Sequence, residues 1–375
     1  MMRVVMAGPL PPAIGGMATV IDDISRTSLA REVELILFDT GKQTPAGRSL
    51  TQAIAARFAL WRAWWQALSP ANRTVAHIHT CSFFTYFLDG VYVLLARLRG
   101  VPVVLHVHGG RFDAFLDELS PFALGIARFI AQRATRLVVL SGEWEIKLAE
   151  RLPGAHLTVI ENGVAEPQLI EVSKTSGEVI VLFLGNLGQR KGVWDLVACA
   201  GQLPSSVRLV LVGGEEDTGI TERVRAELEQ QGIESRVELV GPAVGEAKFR
   251  WLRKADIFVL PSYAEGVPIS MLEALAAGLP AIVTPVGGIP SVLQDGEHAL
   301  FVPPGDRVAL AGAITRLAGD ADLRSRLGAS ARRHVLERYG IECTAQKYLQ
   351  LYESLKPGLI NQDMKPGTED AGAVP

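Results

Sequence analysis

The stretch ADIFVLPSYAEGVPISMLEALAAGLPAIVTPVGG, residues 255–288, decides the fold. Its apolar run at 257–260 is too short for a helix and stops at Pro261, so it reads as a buried strand. A loop carrying Glu265 follows, and Pro268 stands just before a helical pattern, where the fixed φ of proline suits the first turn. Glu273 falls one to two turns into that helix, and a second apolar run at 281–283 completes a strand, helix, strand unit. One carboxylate therefore stands at the helix mouth and the other on the helix. The free amides of a helix start favour a phosphate-bearing ligand, and carboxylates beside them accept hydrogen bonds from sugar or ribose hydroxyls. The plain alternative is a pair of solvated glutamates on a turn; the position directly after a strand favours the ligand.

The same unit recurs in both directions. Runs rich in Val, Ile and Leu stand at 179–184, 207–212 and 237–240 in the second half, and at 3–7, 33–38, 75–78, 101–107, 137–140 and 157–160 in the first. Each is bounded by turn residues and followed by an amphipathic stretch, the pattern of parallel strands alternating with helices. The polar, aperiodic segment 165–178 separates the two series as a linker. The expected fold is α/β, with two Rossmann-like doubly wound domains, 1–164 and 179–340, facing each other across a cleft. Two helices follow near 322–336 and 342–355, the last, within 341–355, packing back on the first domain; the tail 356–375 has the composition of a disordered segment.

Length and charge agree with that plan. A chain of 375 residues suits two domains, and 48 % apolar with 21 % charged residues is a globular composition. A formal charge of −3 gives no reason to expect nucleic acid as a partner. Cys81, Cys199 and Cys343 are few and scattered, which suits a reducing compartment. The apolar start is cut by Pro9, Pro11 and Pro12, so it reads as a first strand entering a loop rather than a signal peptide. The longest apolar stretch, 83–98, contains Asp89, Gly90 and Arg97 and falls short of a membrane span.

Ligands of open α/β sheets bind beyond the carboxyl ends of the strands, and much of the glycine falls there, at 8–16, 108–110, 185–192, 213–214 and 284–288. FLGNLGQRKG, residues 183–192, puts Arg190 and Lys191 on such a loop, where a diphosphate can be clamped. It lacks the spacing of a P-loop, and no G-x-G-x-x-G opens the first domain. HVHGGRF places His106 and His108 on one face at a strand end, His106 as a packed residue and His108 nearer the cleft; His77 and His79 show the same spacing. No Asp, Glu or Cys completes a ligand set around them, and Asp320 with Asp322 is better explained as a helix cap than as a D-x-D metal motif, so no metal is expected.

The glycine loop after the first strand, His108 in HGG, ENGV at 161–164, GNLGQRKG, and the two glutamates of EGVPISMLE followed by TPVGG, in this order over about residues 3–355, resemble the family 4 retaining glycosyltransferases with the GT-B fold. The resemblance implies transfer of a sugar from a nucleotide-diphosphate donor to a hydroxyl acceptor with retention at the anomeric carbon and without a metal or cofactor. The second domain would bind the nucleotide and the first present the acceptor, a glycan or lipid-linked glycan. By the same resemblance Lys191, with Arg190, neutralises the leaving diphosphate, Glu265 faces the donor sugar and Glu273 the ribose. His108 lies near the reacting carbon, the amides of Gly15 and Gly16 approach the phosphate, and Asn186, Gly266, Val267 and Ile269 complete the donor contacts. The chain departs from the family at Asn186, where arginine is frequent, at Pro268 for glycine, and at Ser291 for glutamate.

In the helix near 53–68, Ile54, Phe58, Trp61, Trp65 and Leu68 follow helical spacing and read most simply as a core-facing stripe, with Arg57, Arg62 and Trp64 elsewhere. The alternative is a membrane-interface helix. The expected protein is thus a cytoplasmic glycosyltransferase of polysaccharide or glycolipid assembly, with peripheral contact at the inner face of a membrane as an open reading. A nucleotide-sugar epimerase of the same fold, or a non-catalytic sugar-nucleotide binder, is the alternative; a dinucleotide oxidoreductase lacks its glycine fingerprint.

Overall fold

The computed structural model describes residues 1–13, 15–41, 49–68, 74–167 and 177–355. The first half runs β1 (Met2–Gly8), α1 (Gly16–Ser25), α2 (Leu29–Glu32), β2 (Val33–Asp39), α3 (Leu50–Ala67), β3 (Thr74–Thr80), α4 (Phe84–Leu98), β4 (Val103–Val107), α5 (Phe112–Asp117), α6 (Pro121–Arg133), β5 (Arg136–Val139), α7 (Gly142–Arg151) and β6 (Leu157–Val159). The second runs β7 (Val179–Leu184), α8 (Val193–Ala200), β8 (Val207–Val212), α9 (Ile220–Gln231), β9 (Val237–Gly241), α10 (Gly245–Lys254), β10 (Ile257–Leu260), α11 (Ile269–Ala276), β11 (Ala281–Val283), α12 (Ile289–Val292) and β12 (Ala299–Phe301). Three helices end the chain, α13 (Arg307–Gly319), α14 (Ala321–Tyr339) and α15 (Ile341–Ser354). Most of the expected linker, 168–176, and the expected tail, 356–375, lie outside the described residues.

Two six-stranded parallel sheets result, ordered β2-β1-β3-β4-β5-β6 and β12-β11-β10-β7-β8-β9. The chain reverses its winding direction between β1 and β3 in the first sheet and between β7 and β10 in the second, and such switch points open the crevices where ligands bind. The fold is the expected pair of doubly wound domains. Strand ends shift by a residue or two, and two differences from expectation have a clear physical reason. β4 starts at Val103 rather than 101 because Pro102 has no N–H to give to a ladder, though its carbonyl accepts from Ala76. β12 was not anticipated, since its three residues are too few to show a period.

Alternation along β1 sorts the first domain's core. Val5 and Ala7 face one layer with Trp64, Tyr86 and Tyr92, while Val4 and Met6 face the other with Ile21 and Ile24 of α1. Tyr348, Leu351, Tyr352 and Leu355 at the chain's end belong to that second layer, so α15 buries its apolar face against the first domain's sheet rather than the second's. Asp320 accepts a hydrogen bond from the Leu323 amide at 2.8 Å and caps α14, as read from the sequence.

Helix α3 corrects the sequence reading. Trp64 is fully buried, its Nε1 donating to the Tyr92 carbonyl at 3.0 Å, and Leu68 is buried with it. Ile54 and Phe58, expected in the core, are exposed, Phe58 by 62 %. The helix has apolar residues on every side, so periodicity alone does not choose the buried face. The fit against α4 chooses it.

Candidate functional site

The loops after β1, β4, β7 and β10 converge on a cavity of about 590 Å³ between the two domains. It is lined by Gly15, Gly16 and His108 from the first domain and by Asn186, Arg190, Lys191, Gly266, Val267, Ile269 and the two glutamates, Glu265 and Glu273, from the second. The structure thus brings every residue expected to contact the donor to one cleft. Helices α1 and α11 both start there: a side chain at Gly16 would stand 3.7 Å from Ile269 Cγ1. Neither helix start carries a side-chain cap, so two sets of free amides are left at the cleft floor. The domains meet closely. Asn162 Nδ2 donates to the Val267 carbonyl at 3.1 Å, and a Cβ on Gly110 would lie 2.9 Å from the Gly266 nitrogen.

Two glycines make the charged loops fit. Gly192 has a φ of 73° and ends the turn Gln189–Lys191 so closely under β10 that a side chain would overlap the Pro261 carbonyl. Gly287, with a φ of 56°, leaves room for the Glu265 carbonyl oxygen in the same way. Between them Lys191 Nζ lies 2.6 Å from Glu265 Oε1, which also accepts from Ser262 Oγ at 2.7 Å. Glu265 is only 6 % exposed, so this ion pair is held largely out of water. Arg190 grips Glu216 with two bonds of 2.6 and 2.8 Å, donates to the Ala264 carbonyl at 2.8 Å and stands 3.9 Å from Glu265 Oε2. Burial alone would lower its pKa; the bonds to Glu216 and the field of Glu265 outweigh that and raise it.

Glu273 on α11 is buried, which raises its carboxyl pKa, and Lys248 from α10 opposes that by pairing with it. Across the cleft, Asp23 of α1 is pushed up to about 6, first by burial and then by the charge of Glu273. Three cations, Arg190, Lys191 and Lys248, therefore meet three carboxylates, Glu216, Glu265 and Glu273, in the lining of the cleft. An arriving diphosphate finds cations close at hand, each already oriented by a carboxylate that can take a hydroxyl in exchange.

His108 carries no charge at neutral pH, since burial lowers its pKa to about 3. Its Nε2 is 2.7 Å from His79 Nδ1, at the head of a row of rings that continues through His106 and His77. Tyr348 and Tyr352 of α15 bond His106 Nδ1 at 3.0 Å and His77 Nδ1 at 2.5 Å. His77, His79 and His106 form a group whose ring nitrogens approach within 4.8 Å. Their rings lie 17° to 36° from parallel, whereas an ion sits in the plane of each imidazole that holds it, so shared ligation requires the stack to open.

Comparison with known proteins fits this geometry. A profile described as "Glycosyl transferase 4-like domain" matches residues 15–163 and one described as "Glycosyl transferases group 1" matches residues 178–320. A D-inositol 3-phosphate glycosyltransferase of Rhodococcus erythropolis is 30 % identical over 80 % of this chain and 72 % of its own length. The chain belongs to the group 1, or family 4, glycosyltransferases. A second enzyme of that description, from Nocardia farcinica, is 31 % identical over 60 % of this chain, which spans 51 % of the Nocardia protein. Anabaena Alr3699/HepE, solved in complex with UDP-glucose, superposes with a TM-score of 0.75 over 95 % of this chain and 100 % of its own, at 18 % identity, and shows the shared GT-B fold.

Sequence reasoning about this glycosyltransferase missed Lys248, Glu216 and Asp23. Lys248 lies inside α10 and Asp23 near the end of α1, away from the strand ends where ligand-binding residues collect. Glu216 follows the Gly213 and Gly214 pair after β8, and a search for the acidic partner of Arg190 at strand ends would have found it.

Proposed function

We propose that the cleft binds a nucleotide-diphosphate sugar and that the enzyme transfers the sugar, with retention, to a hydroxyl of a glycan or lipid-linked glycan in polysaccharide or glycolipid assembly. The observation that carries the reading is the meeting of Lys191, Arg190 and Lys248 with Glu265 and Glu273 where α1 and α11 begin. The phosphates would lie over the free amides of Gly15 and Gly16 and against Lys191, the ribose hydroxyls on Glu273, and the donor sugar against Glu265 and neutral His108. UDP-glucose bound in the structurally similar Anabaena protein supports a donor of this class.

As the bond to the anomeric carbon stretches, negative charge grows on the diphosphate, and preorganised cations and amides in a cleft of low dielectric stabilise it most at that moment. Glu265 is bonded to Lys191 and Ser262, which orients it toward hydroxyls rather than leaving it as a bare nucleophile. The acceptor hydroxyl would enter on the face from which the diphosphate leaves, its oxygen bonding the anomeric carbon as its proton passes to the departing phosphate oxygen, and the sugar keeps its configuration. Protein cations meet the phosphate charge, so the reaction is expected to continue in excess EDTA. Release of UDP from UDP-glucose by the purified protein, with and without acceptor sugars, tests the site. Activity is expected in the wild type and its loss in Lys191→Ala and Glu265→Ala; undiminished turnover in both variants refutes the assignment.

A further inference from the structure

We propose that the outer face of α3, α4 and α6 docks the enzyme on an anionic phospholipid bilayer. These helices lie side by side on one face of the first domain's sheet. Their outer side exposes large apolar groups that the core leaves out: Phe58, Phe84 at 72 %, and Phe122 at 80 %. On α6, Phe122, Ile126, Phe129 and Arg133 follow at intervals of four, three and four residues, one stripe of a helix.

Charge selects the occupant. The three helices expose Arg62, Arg97 and Arg133, while Arg57 turns in toward Asp89 and Tyr92 and Arg128 bonds the Arg151 carbonyl at 2.9 Å; their single carboxylate, Asp89, is buried under them. The chain as a whole carries more acidic than basic residues, so this face inverts the average. The nearest acidic groups before α6, Asp117 and Glu118, are paired with Arg151 and Arg111. The Arg133 guanidinium stands 4.6 Å over the Phe129 ring, and Arg99, just past α4, stands 4.4 Å over Trp65. Cations stacked on aromatics beside exposed phenylalanines match a headgroup layer, where the rings enter the acyl boundary and the guanidinium groups meet phosphates. No helix among the described residues is long and apolar enough to cross a membrane, so the contact is with the surface.

The face also reaches the cleft. Phe83, the residue before α4, has a φ of 68°, is 57 % exposed and lines the cavity beside Ser82. On the reading under Proposed function, an acceptor anchored in the bilayer by a lipid tail would pass Phe83 to reach His108.

Flotation of the full chain with vesicles tests the docking face without any donor or acceptor. Binding is expected to vesicles of phosphatidylcholine with about 30 mol % phosphatidylglycerol, at least about tenfold more than to phosphatidylcholine alone, and to weaken in high salt. Phe122→Ser with Phe129→Ser should abolish it, and Arg62→Gln with Arg133→Gln should lower it about tenfold on anionic vesicles only. Wild-type thermal unfolding in both pairs confirms folding, and wild-type UDP release shows an intact cleft. Equal binding to both vesicle types, or unchanged binding by the phenylalanine pair, overturns the proposal. No flotation together with a dimer in light scattering that the phenylalanine pair dissolves assigns the face to a second copy instead.

Discussion

The two domains share one winding plan and differ in what they place at the carboxyl ends of their strands. The first offers Gly15, Gly16, Ser82 and His108, which are small or neutral, and a single charged group, Arg111, paired with Glu118; the second offers Arg190, Lys191, Glu216, Glu265 and, on the adjoining helices, Lys248 and Glu273. On the proposed function, charge stands where phosphate is held and its departure eased, and a wall with little charge suits a hydroxyl that must approach without being bound tightly. The fold thus supplies the cleft twice over, and the side chains divide the labour.

The comparison breaks first at Lys191 and His108. Lys191→Ala is expected to lower kcat by about 100- to 1,000-fold, the cost of losing a preorganised transition-state contact, and to weaken donor binding as well. His108→Ala is expected to lower kcat with donor affinity within about threefold of wild type. Steady-state kinetics beside calorimetric binding of UDP-glucose would show the reverse pattern if the donor lay on the first domain.

Lys248→Ala is expected to cost about 3 kcal/mol of stability at pH 7, because it leaves Glu273 buried without its partner. Lys248→Ala combined with Glu273→Gln should recover most of that in denaturant unfolding. Recovery in neither the double variant nor at low pH would mean that the pair is not buried as described.

Asp23 sharpens the contact between the halves. Its carboxyl titrates near 6 when folded, above its unfolded value, so the folded state holds the extra proton between about 4 and 6. Its contribution to stability is therefore lost as pH rises through that window. Asp23→Asn is expected to be about 2 kcal/mol more stable than wild type at pH 8 and nearly equal at pH 4, measured by thermal unfolding across pH. A parallel pH profile in both proteins would contradict the burial of Asp23 beside Glu273.

The smallest effect is expected at Arg190. Arg190→Lys keeps the charge but loses the two-pronged grip on Glu216, and about a tenfold rise in KM for the donor with little change in kcat should follow.

Much of this was legible in the sequence because parallel strands buried on both faces are short apolar runs, and the loops that follow them are where chemistry collects. Glu265, Lys191 and His108 all lie in the loops that follow such runs. Lys248 was not legible: it belongs to an ordinary amphipathic helix, and only the packing of α10 beside α11 brings it to Glu273. Trp64 was misplaced for a different reason. α3 has too few polar residues to show which side is wet, and the same excess of apolar surface gives the outer face its character.

Thermal stabilisation by a panel of UDP-glucose, UDP-N-acetylglucosamine, GDP-mannose and the free sugars tests the central claim most directly, since a ligand of the native state raises its stability. At least one nucleotide-diphosphate sugar is predicted to raise the Tm of the wild type and to leave that of Lys191→Ala unmoved, with no free sugar acting alone. A Tm unmoved by every nucleotide sugar, or raised equally in Lys191→Ala, would contradict the account.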